Sequence, residues 1–105
     1  MEKPNLSYIE EISGGDEDFK NNMIAILKVE FPLELESIVQ SFKENNFNEV
    51  SFYTHKVKHK IAMLGMPKSY ELASIFEMEI KKNNTTKYKD FLLILNRIAL
   101  YLNAK

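Results

Sequence analysis

The chain has 105 residues and no cysteine, which bounds it to one domain with neither a disulfide framework nor thiolate metal chemistry. Hydrophobic residues make up 45% and charged residues 28%, with three glycines and three prolines, a globular composition with few sharp turns and little sign of disorder. Fourteen Lys and Arg against fifteen Asp and Glu give a formal net charge of -1, so no global field draws the protein onto nucleic acid or anionic lipid, and a chain this short has no room for a large two-lobed enzyme cleft.

Leu6, Tyr8, Ile9 and Ile12 lie in a short apolar-acidic segment that Ser13-Gly14-Gly15 brings to an end. Asp16 can then cap a long helix whose first turn holds Glu17 and Asp18 at the positive end of the helix dipole. Its apolar positions Phe19, Met23, Ile26, Leu27, Leu33, Ile38 and Phe42 keep an imperfect three-and-four spacing. Pro32 removes a hydrogen bond near its middle, which predicts a kink or break there. After Lys43-Glu44-Asn45-Asn46, the series Phe47, Val50, Thr54, Val57, Ile61 and Leu64 steps by three and four, the period of one buried helical stripe. Gly65 supplies a left-handed stop and Pro67 a first-turn start, so the next helix runs from Pro67 through Leu72, Ile75, Phe76 and Ile80 to Lys82, and Asn83 and Asn84 end it.

A last helix from Thr86 presents Tyr88, Phe91, Leu92, Leu95, Ile98, Ala99 and Leu102. Leu93, Ile94, Leu100 and Tyr101 widen its apolar arc, which predicts that it also packs under the amino-terminal segment or, as the second choice, against a partner. Four amphipathic helices with short connections and a shorter helix in front bury their stripes against each other, so the expected fold is all-α, an antiparallel up-down four-helix bundle. The opening MEKPNLSY lacks the apolar core of a signal peptide, and the longest apolar run, Phe91 to Leu95, is too short to span a bilayer. A cytoplasmic address without membrane insertion is the expectation.

Both histidines lie in one basic stretch, His55-Lys56-Val57-Lys58-His59-Lys60. At about 100° per residue, the buried stripe of this helix centres on Val57, Ile61 and Leu64, and His55 points roughly 140° away, toward water. Ser51, Lys58, His59 and Ala62 share its face, with Phe52 at the edge. A histidine on such a face is by itself an ordinary solvated residue. A neutral imidazole can, however, attack phosphorus, and the Lys58 ammonium at i+3 can attract the phosphoryl oxygens once they arrive. His55 and His59 also have the i,i+4 spacing of a chelating pair, but the chain offers no further His or Cys and the three lysines repel a dication, so no metal is expected. No glycine loop to cradle phosphates is present, so the protein should not bind ATP or phosphorylate itself.

The run from His55 to Gly65 resembles the signature of histidine-containing phosphotransfer domains: His, then Lys three on, Gly four on, small residues, an aliphatic residue nine on and Gly ten on. His55, Lys58, Ala62, Leu64 and Gly65 fit it. The family's lead-in of a short helix, a Gly-Asp turn and a long helix beginning Asp-acid-acid-Phe is similar to Ser13 to Phe19, so the resemblance extends over nearly the whole chain. It departs at His59, where the family has glycine, and at Lys60, where a small hydroxyl residue is common. The resemblance implies that His55 is the phosphoacceptor, taking the group from a receiver domain's aspartate and passing it to another, with Lys58 as electrostatic partner. It implies receiver domains of hybrid histidine kinases and response regulators as partners, magnesium supplied by the receiver rather than held by this chain, and a carrier without kinase or hydrolase activity. Ser51, Phe52, Lys56, Lys60 and Ala62 are the expected docking residues, and His59 tunes the site or acts as a secondary acceptor. The rival reading is a non-catalytic helical module that docks a receiver without taking the phosphoryl group.

Overall fold

Capping residues set where the helices of the computed structural model begin and end; it describes residues 2–105. Helix α1 (Ser7–Ser13) stops at Gly14, whose φ of 57° lies in the left-handed region. Helix α2 (Glu17–Lys43) starts at Asp16, whose side chain accepts the Phe19 N–H at 3.1 Å, with Glu17 and Asp18 in the first turn as dipole partners. Helix α3 (Phe47–Met63) is capped by Asn46, which accepts the Glu49 N–H. Gly65 follows at φ 71°, and a Cβ there would lie 2.6 Å from Asn5 Nδ2, so both backbone conformation and a close approach demand glycine. Helix α4 (Pro67–Ile80) opens on the expected proline, and helix α5 (Tyr88–Asn103) closes the chain.

Three boundaries differ from the sequence expectation. Helix α2 runs unbroken through Pro32. The proline is exposed, so water can satisfy the carbonyl it orphans, and one lost bond does not interrupt a helix held by packing along its length. Its 27 residues span about 40 Å at 1.5 Å each, close to the 44 Å long axis of the molecule. Helix α4 ends at Ile80 rather than Lys82, and α5 begins at Tyr88 rather than Thr86. The residues between form turns, with Asn83 in the left-handed region and the Thr86 N–H donating to Asn84 Oδ1.

Helix α3 packs on both α2 and α4, α5 packs on the same two helices, and α1 lies against α2. The stripe expected on α3 is the one buried: Val50, Thr54, Val57, Ile61 and Leu64 are inaccessible, and Phe47 is partly covered. On α2 the core face is Leu27, Phe31 and Ile38, while Phe19, Ile26 and Leu33 turn outward. The last three repeat every seven residues and so form a genuine stripe, about 100° or more around the axis from the buried one. On α4, Ala73, Phe76 and Ile80 are buried and Ile75 sits at the rim. On α5, Ile94 belongs to the core with Phe91, Leu95, Ile98 and Leu102. Leu93 and Leu100 stay exposed, so the expectation that the amino-terminal segment covers them is corrected.

That segment runs instead to the turn between α3 and α4. The Asn5 N–H donates to Leu64 O at 2.8 Å, and the Glu2 carboxylate accepts the Lys68 and Ser69 backbone N–H groups at 2.9 and 2.7 Å. Burial pushes the Glu2 carboxyl up, but these donors outweigh it and hold the group below its ordinary range. Helix α4 has no acid in its own first turn, so its cap comes from the other end of the chain. Among the described residues, no helix is long and apolar enough to cross a membrane.

Candidate functional site

Because α3 buries Val57 and Ile61, its opposite face carries Phe52, His55, Lys56, His59 and Ala62, all of them exposed. The His55 side chain is 56% accessible, as its angle on the helix required. It does not float free. Its Nδ1 lies 3.1 Å from Glu77 Oε2 on α4, and Lys58 Nζ lies 2.8 Å from Glu77 Oε1. One carboxylate thus braces the imidazole with one oxygen and pairs the lysine with the other.

Glu77 is 13% accessible at its side chain. Burial pushes its carboxyl up, but Lys58 first and then His55 outweigh burial and hold it below the ordinary carboxylate range. An ionised carboxylate accepts and cannot donate. His55 Nδ1 therefore carries the proton of the neutral ring, and Nε2 keeps its lone pair on the side away from Glu77. This is the tautomer in which a nucleophilic nitrogen is turned outward and the ring cannot rotate without losing a charge-assisted bond.

The other candidates divide. Ser51 is 2% accessible and its Oγ donates to Glu77 O at 3.3 Å, so it supports α4 under the site and offers no docking surface. The sequence angle put it near His55 but gave no account of α4 lying over it. Lys60 is likewise not a free cation: its Nζ sits 3.1 Å from Glu30 Oε1 and 2.9 Å from Glu34 Oε2, across the seam with α2. Burial pulls its ammonium down, yet the hydrogen bonds and charges of Glu34 and Glu30 raise it overall. Lys58 is 14% accessible and held by Glu77 rather than standing free beside the imidazole. Lys56 remains exposed and lies over the Phe52 ring, 4.8 Å from its centroid. His59 stands edge-on to His55, ring centroids 5.0 Å apart at 85°. Among the described residues, no group of three His, Cys, Asp or Glu side chains converges to hold a metal ion.

Glu77 is the residue that sequence reasoning missed. A signal for it existed. Helices joined by a tight turn bring residues equidistant from that turn to one level, and His55 lies ten residues before Gly65 while Glu77 lies twelve after it. Glu77 also flanks core residue Phe76, which turns it toward a neighbour instead of straight into solvent.

A second feature adjoins the site. Ile26, Val29 and Leu33 of α2 are exposed, and Leu33 shares with Tyr53, Lys56, His59 and Lys60 a groove between α2 and α3. Comparison with protein-family models, with curated proteins and with solved structures gave no match.

Proposed function

We propose that this chain is a histidine-containing phosphotransfer protein, a cytoplasmic carrier in which α2 to α5 form an antiparallel up-down bundle and His55 shuttles a phosphoryl group between receiver-domain aspartates. The observation that carries the reading is the exposed imidazole whose Nδ1 proton is held by a largely covered, ionised Glu77. In the forward step the His55 Nε2 lone pair attacks the phosphorus of an aspartyl phosphate. The N–P bond forms as the P–O bond to the aspartyl carbonyl carbon's oxygen breaks, and the electron pair leaves with the regenerated carboxylate. The ring becomes an N-phosphorylated cation with its proton still on Nδ1, and Glu77 opposite that proton stabilises the charge as it develops. The reverse sequence hands the group to the next receiver. Magnesium, acid groups and hydrolysis belong to the receiver in this scheme, so the chain acts as a carrier and not as an enzyme in its own right.

The docking surface follows the exposed residues. Phe52, Lys56 and Ala62 surround the imidazole on α3, and Ile26, Val29 and Leu33 extend the apolar area along α2. With Lys58 and Lys60 already paired internally, this face attracts a partner through apolar area more than through charge.

The test is incubation with a phosphorylated receiver domain, then intact mass and site mapping in alkaline solution, where phosphohistidine survives. The expected result is one phosphoryl group on His55 and none on His55→Gln, with the melting midpoint unchanged because the Gln amide can still donate to Glu77. A His55→Gln protein that accepts the group at full rate would sink the assignment. Binding of the receiver without transfer would support the non-catalytic docking module instead.

A further inference from the structure

Two of the three lysines next to the acceptor histidine are held by carboxylates. Lys58 is ion-paired with Glu77, Lys60 is paired with Glu30 and Glu34, and Lys56 is exposed over the Phe52 ring, lining with His55 and Glu77 the depression between α3 and α4. His59 is different. It is exposed, it stands edge-on to His55 with the ring centroids 5.0 Å apart, and among the described residues no carboxylate is paired with it. It follows His55 by four residues, one turn along the same outward face.

We propose that His59 is the hydrogen-bond donor to the phosphoryl group carried by His55, filling the role that Lys58 cannot fill while Glu77 holds it. The inference rests on the reading of His55 as phosphoacceptor. The geometry favours it because Glu77 fixes Nδ1 of His55, which leaves the phosphoryl group to project from Nε2 on the outer side where His59 stands. An imidazole donates through one N–H when neutral and through two when protonated, so it serves a phosphoryl oxygen in either state. A dianionic phosphoryl group accepts strongly from such a donor. His59 also lies over the α2–α3 groove with Lys56, so it can turn away from the acceptor when a receiver's own cation takes over the same oxygens. His59 thus sets how long the phosphoryl group rests on this chain between partners.

Phosphoramidate tests this without any receiver, so the outcome is independent of docking. Nε2 of His55 attacks the phosphorus of the zwitterionic reagent, the reagent's P–N bond breaks, and ammonia departs with the electron pair. The half-life of the product and its ³¹P resonance are then compared for the wild-type chain, His59→Ala, His59→Gln and Lys58→Ala. His59→Ala should shorten the half-life by about three- to tenfold, the worth of one hydrogen bond, and shift the ³¹P signal. His59→Gln, which keeps a neutral donor, should recover part of the loss, and Lys58→Ala should change the half-life less than His59→Ala does. Ring ¹⁵N resonances of His59 should move when the wild-type chain is phosphorylated. A half-life and ³¹P shift unaltered in His59→Ala, a larger effect of Lys58→Ala, or phosphoryl mapped to His59 itself would each overturn the proposal. If phosphoramidate loads His55 and a receiver does not, the phosphorelay reading fails while this one still stands or falls on its own data.

Discussion

The two seams of α3 carry the same kind of ion pair and do different things with it. Toward α2, Lys60 meets two carboxylates, Glu30 and Glu34, and the charges close on themselves. Toward α4, Lys58 meets one carboxylate, and that carboxylate has a second oxygen left over for an imidazole. The α2 seam is an arrangement that holds helices in register. The α4 seam does this as well, but sharing one acid between a lysine and a histidine also selects a tautomer and aims a nitrogen. Counting charges along the chain makes the seams look alike; stoichiometry across the seam separates them.

Removing one acid from each seam tests the contrast most severely. Glu77→Ala leaves Lys58 covered and unpaired and should cost about 1–3 kcal/mol by chemical denaturation. It should also slow phosphoryl uptake on His55 by about tenfold, the scale expected when one charge-assisted orienting bond is lost. Glu34→Ala leaves Lys60 with Glu30, so stability should fall by about 1 kcal/mol or less and uptake should not change. Equal slowing in both variants would show that the α4 seam has no special role.

Acid sharpens the same comparison. In the folded chain Glu77 and Glu2 both stay ionised below the ordinary carboxylate value of 4.5, so below that value the unfolded chain binds more protons than the folded one. Their contribution is complete above about pH 4.5 and drains away as the pH falls through the depressed folded values. Urea denaturation from pH 6 to pH 3 should show stability falling with acid, with a shallower fall in Glu77→Gln. A slope unchanged by that substitution would mean the brace contributes nothing to folding.

The smallest effect concerns the buried ridge between the seams. Thr54 is inaccessible and its hydroxyl has no hydrogen-bond partner. Thr54→Val keeps the shape and removes the desolvated oxygen, so stability should rise by about 1 kcal/mol, read as a higher urea midpoint with uptake on His55 unaltered. A loss of stability would mean that the hydroxyl finds a partner in solution.

Much of this was legible in the sequence one helix at a time. The stripe from Val50 to Leu64 fixed which way α3 faces, and that alone put His55 in water; Asp16, Asn46, Gly65 and Pro67 marked helix ends through local capping chemistry. Harder to read were facts that belong to pairs of helices. The angle of Ser51 on α3 was right, yet its burial depends on α4 crossing above it, and the neutralisation of Lys58 and Lys60 depends on glutamates 19 to 30 residues away in the chain. Helix α2 misled for a related reason: it bears two apolar stripes, Leu27-Phe31-Ile38 and Phe19-Ile26-Leu33, and periodicity does not say which one a neighbour will cover.

The cap that Glu2 places on α4 joins amides 66 and 67 residues away in the chain. Backbone amides in a helix's first turn have no intrahelical acceptor, so they normally exchange with solvent quickly. Here the Lys68 and Ser69 amides are protected only while the amino-terminal segment is seated, which makes their deuterium uptake a two-residue gauge of that segment's opening equilibrium, separable from the global unfolding that releases the amides deeper in α4.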